Sequence, residues 1–226
     1  MGFGVSISLR PTAIVFDFDG LVIDTEWAEF VSIDAVFRAH GCQLSEDLWR
    51  SFIGTTDHPH WTEILKDQVG RELDGDQLRI ERVDANRSVI EGLAVEPGVC
   101  DLIAAARSVG VPLAVASSSP RSWVERHLRR VGLWDLFGSV STGDEVLRTK
   151  PDPAVYELAV DRLGVGRDGV VAIEDSVTGC HAALAAGLTV VAVPSRMTAG
   201  MDFSHAHLVV DSVVELGLER LGELTR

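Results

Sequence analysis

The 226-residue sequence predicts an α/β fold: a doubly wound, mainly parallel sheet with an inserted all-helical cap domain. Three observations carry this. Short apolar runs without polar alternation recur along the chain, amphipathic patterns ending in glycine separate them, and the stretch Thr25–Ala94 interrupts the alternation without offering a strand.

The strands are expected at Ala13–Phe16, Pro112–Ala116, Val170–Ile173, Thr189–Val193 and Leu208–Val210, with a weaker candidate at Gly138–Thr142. Each is apolar at consecutive positions, as a strand covered by helices on both faces must be. The helical patterns "VCDLIAAARSVG", "RSWVERHLRRVG", "AVYELAVDRLG" and "CHAALAAG" stop at Gly110, Gly132, Gly164 and Gly187, where a C′ residue belongs. Ser119-Pro120 and Asp152-Pro153 read as N-caps followed by proline at the first helical position. Between the first two strands, "EWAEFVSIDAVFRAHG", "EDLWRSFIG", "HWTEILKDQVG" and "DQLRIERVDANRSVIEGL" form a string of amphipathic helices. This is too long for an ordinary connection. The expected organisation is therefore a core of residues 1–24 and 95–226 with a helical cap, 25–94, above the carboxyl ends of the strands.

Composition narrows the function. With 34 acidic against 20 basic residues the net charge is −14, which argues against a nucleic-acid or anionic-membrane partner. An anion can be bound only through a local device such as a metal ion, a lysine or backbone N–H groups. Cys42, Cys100 and Cys180 are dispersed and odd in number, a pattern of neither a zinc site nor a disulfide framework. "MGFGVSISLR" lacks the basic and apolar regions of a signal peptide, and no run is long enough to span a bilayer. The expectation is a cytoplasmic protein, by default a monomer.

The chemistry lies at the strand ends. In "IVFDFDGLVIDT" a core strand runs into Asp17 and Asp19, and carboxylates in such a place need positive charge beside them. The next strand ends in Ser117-Ser118-Ser119, Lys150 follows the weak strand, and Val170–Ile173 ends in Glu174-Asp175. A parallel sheet brings all of these to one edge. Asp17, Asp19 and Asp175 are hard oxygen donors suited to Mg²⁺ together with a substrate phosphate. One aspartate can attack phosphorus while its neighbour two positions on handles a proton. Ser117 and the N–H groups after it offer a donor-rich anion pocket, Lys150 a point charge, and Gly20, Ser118 and Ser119 are candidate phosphate-binding residues.

The ordered motifs "DFDG", "VASSS", "TKPDP" and "IEDS" resemble the haloacid dehalogenase-like superfamily, with the insertion similar to its C1 cap. "DFDGLVIDTE" and "KPDPAVYELA…IEDSVTG" are similar to its β-phosphoglucomutase-like phosphatases, which have a Rossmann-like core. The resemblance implies Asp17 as nucleophile and Asp19 as general acid and base. It implies Ser117 and Lys150 as phosphate-stabilising residues, and Mg²⁺ held by Asp17, the backbone carbonyl of Asp19, Asp175 and Glu174. Asp19 argues against dehalogenation, since the dehalogenases lack that aspartate. The cap arginine and hinge histidine of the mutases are missing from "IGTTDHPH" and "DTEWAEF", where Glu29 replaces the histidine. The favoured expectation is a phosphatase of a small phosphorylated metabolite, such as a sugar or polyol phosphate. A phosphomutase and a catalytically idle phosphate-ligand binding protein remain as alternatives.

Other signals are read as structural. "GVGRDG", Gly164 to Gly169, follows a helix and precedes a strand, the reverse of a dinucleotide site. His58, His60, His205 and His207 are taken as surface residues, and Trp27, Trp49 and Trp61 as packing.

Overall fold

The computed structural model describes residues 9–53 and 59–226. Six strands, β1 (Ala13–Phe16), β2 (Leu113–Ala116), β3 (Ser139–Ser141), β4 (Val170–Glu174), β5 (Thr189–Ala192) and β6 (Leu208–Val209), form one parallel sheet in the order β3-β2-β1-β4-β5-β6. Every expected strand is present to within one residue at either end. The chain winds outward from β1 in one direction through β2 and β3, then returns to its other side for β4 to β6. The carboxyl end of β1 is thus the switch point, where a crevice opens.

Alternate residues of β1 feed two separate cores. Ile14 and Phe16 pack with α5 (Val99–Ser108) and α6 (Arg121–Arg130), whereas Ala13 and Val15 pack with α7 (Ala154–Leu163) and α8 (Val177–Ala185). The glycines expected to end these helices, Gly110, Gly132, Gly164 and Gly187, all have positive φ. A short α9 (Leu218–Glu223), absent from the sequence reading, buries Leu221 in the first of these cores.

Between β1 and α5 the chain forms α1 (Thr25–Ala39), α2 (Glu46–Arg50), α3 (Trp61–Val69) and α4 (Gly75–Glu91), with no strand among the described residues of this stretch. These helices close over a third apolar cluster of Phe30, Ile33, Phe37, Trp61, Leu65 and Leu78. Met197, from the loop after β5, is buried in the same cluster. The neighbouring Arg196 guanidinium lies 3.3 Å from the Trp27 ring centroid, so the core reaches into the insertion with a cation–π contact. Trp61 packs as expected; Trp27 is half-buried and serves that contact.

Two helix starts differ from expectation. Helix α6 begins at Arg121, and Ser119 does not cap it; the Asp144 carboxylate accepts the Arg121 N–H at 3.0 Å instead. The Ser119 hydroxyl has a stronger claim on it from a carboxylate in the crevice. Helix α7 starts one residue later than read, with Asp152 accepting the Ala154 N–H at 3.1 Å. Residues 1–8, His58 and most of "IGTTDHPH" lie outside the described residues, so the readings made on them stay expectations. Among the described residues no helix is long and apolar enough to cross a membrane.

Candidate active site

At the end of β1 the Asp17 N–H still donates to Ile173 of β4 at 2.9 Å, which holds its side chain at the sheet edge. The chain then turns sharply at Gly20, whose φ of 88° suits glycine alone. A Cβ at Gly20 would collide with the Asp175 carboxylate, so this residue also gives Asp175 its space. Gly20 thereby shapes the acidic cluster rather than facing the main crevice.

Asp17, Glu174 and Asp175 are buried, and each offers an oxygen within 4.8 Å of the others. Lys150, itself buried, donates to Asp17 Oδ1 and, at 2.6 Å, to Glu174 Oε1. Two of the three carboxylates therefore share one ammonium, and Asp175 has no ion pair with it among the described residues. Burial, followed by repulsion from Glu174, pushes the Asp17 carboxyl well above the usual range despite Lys150. Asp175 is raised in the same direction by burial and by repulsion from Asp17 and Glu174. Burial alone would lower the Lys150 ammonium, but Asp17 and Glu174 outweigh it and raise it.

Glu174 is the most heavily bonded of the three. Its Oε1 also accepts the Tyr156 hydroxyl at 2.7 Å, and Oε2 accepts the N–H groups of Asp175 and Ser176 and the Ser176 hydroxyl at 3.0 to 3.2 Å. With five donors already on it, Glu174 anchors Lys150 and the turn into α8. Asp17 Oδ2, in contrast, accepts no hydrogen bond among the described residues.

Asp19 has a different neighbourhood. Its Oδ1 accepts the Thr25 hydroxyl and the Trp123 Nε1–H, both at 2.8 Å. Oδ2 accepts the hydroxyls of Ser117 at 3.1 Å and Ser119 at 2.7 Å. The indole can only donate, so Oδ1 must be an acceptor; the serine hydroxyls can rotate, which leaves Oδ2 as the oxygen able to carry a proton. Ser117 is completely buried and also accepts the Ser119 N–H at 3.0 Å. It supports Asp19 and the loop, while Ser118 and Ser119 face the crevice.

That crevice is a cavity of about 170 Å³, lined by Asp17, Asp19, Ser118, Ser119, Lys150 and Asp175 and also by Glu26 of α1 and Ile53. The structure thus brings Asp17, Asp19, Lys150, Asp175 and the serine loop to one point. Sequence reasoning missed Glu26, Tyr156 and Trp123 as members of this constellation. Glu26, one residue into α1, has its carboxyl raised to about 7 by burial and by repulsion from Asp19, Glu29 and Asp24. Its place in the first turn of α1, just after the capping Asp24, was the available signal; for Trp123 none existed, since its reach to Asp19 is purely tertiary. His60 accepts the Thr62 N–H at the start of α3, and His207 accepts the Val190 N–H. Among the described residues, only Asp17, Glu174 and Asp175 form a group with metal-ligating spacing.

Residues 14–193 match the family model for haloacid dehalogenase-like hydrolases. The chain is 36% identical over 209 residues to YhcW of Bacillus subtilis, covering 92% of this chain and 95% of that protein. It is 34% identical over 179 residues to the phosphorylated carbohydrates phosphatase of Thermotoga maritima, covering 78% and 82%. Among solved structures, a hydrolase of this family from Deinococcus radiodurans with bound phosphate and sodium superposes with a TM-score of 0.80 at 27% identity, covering 96% and 98%. CbbY from Rhodobacter sphaeroides in complex with phosphate superposes with a TM-score of 0.72 at 29% identity, covering 92% and 96%.

Proposed function

The chain belongs to the haloacid dehalogenase-like hydrolase family and is a phosphoric monoester hydrolase; we propose that it acts on small phosphorylated carbohydrates or polyols through an aspartyl-phosphate on Asp17, with Mg²⁺ as cofactor. The observation that carries this reading is the deficit of positive charge around Asp17, beside a serine loop that lines the same cavity.

The donor set fits Mg²⁺. All candidate ligands are hard oxygens, and three buried carboxylates are gathered around one lysine, a surplus of negative charge that a divalent cation would offset. Asp17 and Asp175 would hold the ion, with the Asp19 carbonyl; Glu174 contributes mainly by fixing Lys150. When bound, Mg²⁺ supplies charge neutralisation at Asp17 and the transferring phosphoryl group.

The remaining steps belong to the protein. Ser118, Ser119 and Lys150 orient the phosphoryl group. The free Oδ2 of Asp17 forms the new bond to phosphorus as the ester P–O bond breaks, and the departing oxygen takes its proton from Asp19 Oδ2. Asp19 then accepts a proton from water, which attacks phosphorus, releases inorganic phosphate and restores the Asp17 carboxylate. Residues 25–94 act as the cap that shields this chemistry from bulk water, with Glu26 and Ile53 as its contribution to the cavity, above a core of 1–24 and 95–226.

The test is phosphate release from a panel of sugar and polyol phosphates. Release should require Mg²⁺ and should fall by roughly a thousandfold or more in Asp17→Asn, the scale seen when a hydrolase loses its nucleophile. Full activity in that variant would refute the mechanism. Conversion of β-glucose 1-phosphate into glucose 6-phosphate without net phosphate release would make the enzyme a mutase.

A further inference from the structure

The loop that follows β5 belongs to the core by chain order, yet the insertion holds several of its groups. Arg196 stacks on Trp27 of α1, and its guanidinium also lies 3.6 Å from the Glu46 carboxylate of α2. Met197 is fully buried in the apolar cluster of the insertion. Arg50 of α2 donates to the Ala199 carbonyl at 3.1 Å and to Glu46 at 3.0 Å. Helix α2 therefore grips the loop at both Arg196 and Ala199.

Between these contacts, Thr198 turns back into the core. It is fully buried and lines the crevice, and its hydroxyl donates to the Asp175 carbonyl at 2.6 Å. The same oxygen accepts the Ser195 N–H at 2.9 Å. A hydroxyl has one proton to give, so the Ser195 hydroxyl, 3.1 Å away, donates to it as well.

Asp175 depends on such backbone anchors. Its N–H is held by Glu174 Oε2 at 3.1 Å and its carbonyl by Thr198. With the peptide groups on both sides of its Cα fixed, the direction of its carboxylate is set. Moving α1 and α2 off the crevice would either draw Arg196 and Met197 along or strip them of their partners. In both cases Thr198 loses the place from which it holds Asp175.

We propose that Thr198 and Arg196 are positioning residues for the metal site, joined in one loop that makes the aim of Asp175 depend on how the insertion is seated. The inference rests on the Mg²⁺ reading above and adds to it a link between insertion and ion. An ion that binds better where Asp175 is correctly aimed favours the seated insertion, and the seated insertion favours the ion by the same factor.

The experiment titrates Mg²⁺ alone into the metal-free full chain and reads its dissociation constant by calorimetry. Thr198→Val keeps the shape of the side chain and removes the donor. Its dissociation constant should rise about tenfold to a hundredfold, the scale for losing a group that orients a metal ligand. Thr198→Ser restores the hydroxyl and should return the value to near that of the wild type. Arg196, half-exposed, meets the insertion at Trp27 and Glu46. Arg196→Gln should raise the constant at least about fivefold, the lower end of a coupling between two sites. Unchanged affinity in Thr198→Val, or affinity as weak in Thr198→Ser, overturns the proposal. So does unchanged affinity in Arg196→Gln, which would sever the loop's link to the insertion. Failure of the wild type to bind Mg²⁺ at concentrations that support phosphate release would instead remove the metal reading, and the proposal with it.

Discussion

Asp17 and Asp19 lie two residues apart on one strand end, yet the fold surrounds them with opposite kinds of group. Asp17 is in an ionic environment: Lys150, Glu174 and Asp175 are all buried beside it. Asp19 is in a neutral one, ringed by three hydroxyls and an indole. A nucleophile for phosphorus has to approach an anion, so charge beside it is useful. A group that must both give and take a proton is served better by neutral donors that can rotate than by a fixed cation that would hold it ionised. The chemistry proposed for the two carboxylates follows from these surroundings more than from their order in the chain.

That contrast can be broken most severely on the ionic side. Lys150→Met leaves Asp17 and Glu174 buried without their cation and should destabilise the protein by about 3–5 kcal/mol, the usual cost of breaking a buried ion pair. Thermal unfolding measures this, and an unchanged melting temperature would mean that Lys150 does not hold the cluster together. Activity should fall with it, and added Mg²⁺ should recover part of the stability but not the turnover.

On the neutral side the expected effects are smaller. Trp123→Phe removes one of four donors to Asp19 and should lower kcat about tenfold, the rate equivalent of one hydrogen bond of about 1.4 kcal/mol. Its melting temperature should drop only slightly. If kcat is unaffected while KM rises, Trp123 is a wall of the substrate cleft and does not position Asp19.

The smallest effect is expected at Glu26, whose carboxyl is repelled by Asp19 and in turn raises Asp175. Its folded pKa of about 7 lies above the ordinary glutamate value, so the proton stabilises the fold. That contribution is complete below the unfolded value near 4.5 and is lost as pH rises through about 7. Glu26→Gln should therefore raise the melting temperature at pH 8 and leave it nearly unchanged at pH 4, in metal-free buffer. An equal shift at both pH values would mean that Glu26 does not titrate between them.

The chain order alone determined the doubly wound sheet and the long helical interruption, because both rest on local pattern. Consecutive apolar residues are tolerable only in a strand covered on both faces, and glycine ends a helix wherever a left-handed residue is needed. It also determined which residues meet at the sheet edge, since strands that run parallel deliver their ends to the same side. Tertiary structure decided how those residues are wired. Ser119, read locally as a helix cap, gives its hydroxyl to Asp19 because a carboxylate is the stronger acceptor and Asp144 is there to take the helix N–H. Glu174 is saturated by five donors from four residues, and Trp123 reaches Asp19 across 104 positions of chain. Neither periodicity nor spacing carries such contacts: a hydrogen bond depends on where two side chains end up, to within a few tenths of an ångström, and that is decided only when the elements pack.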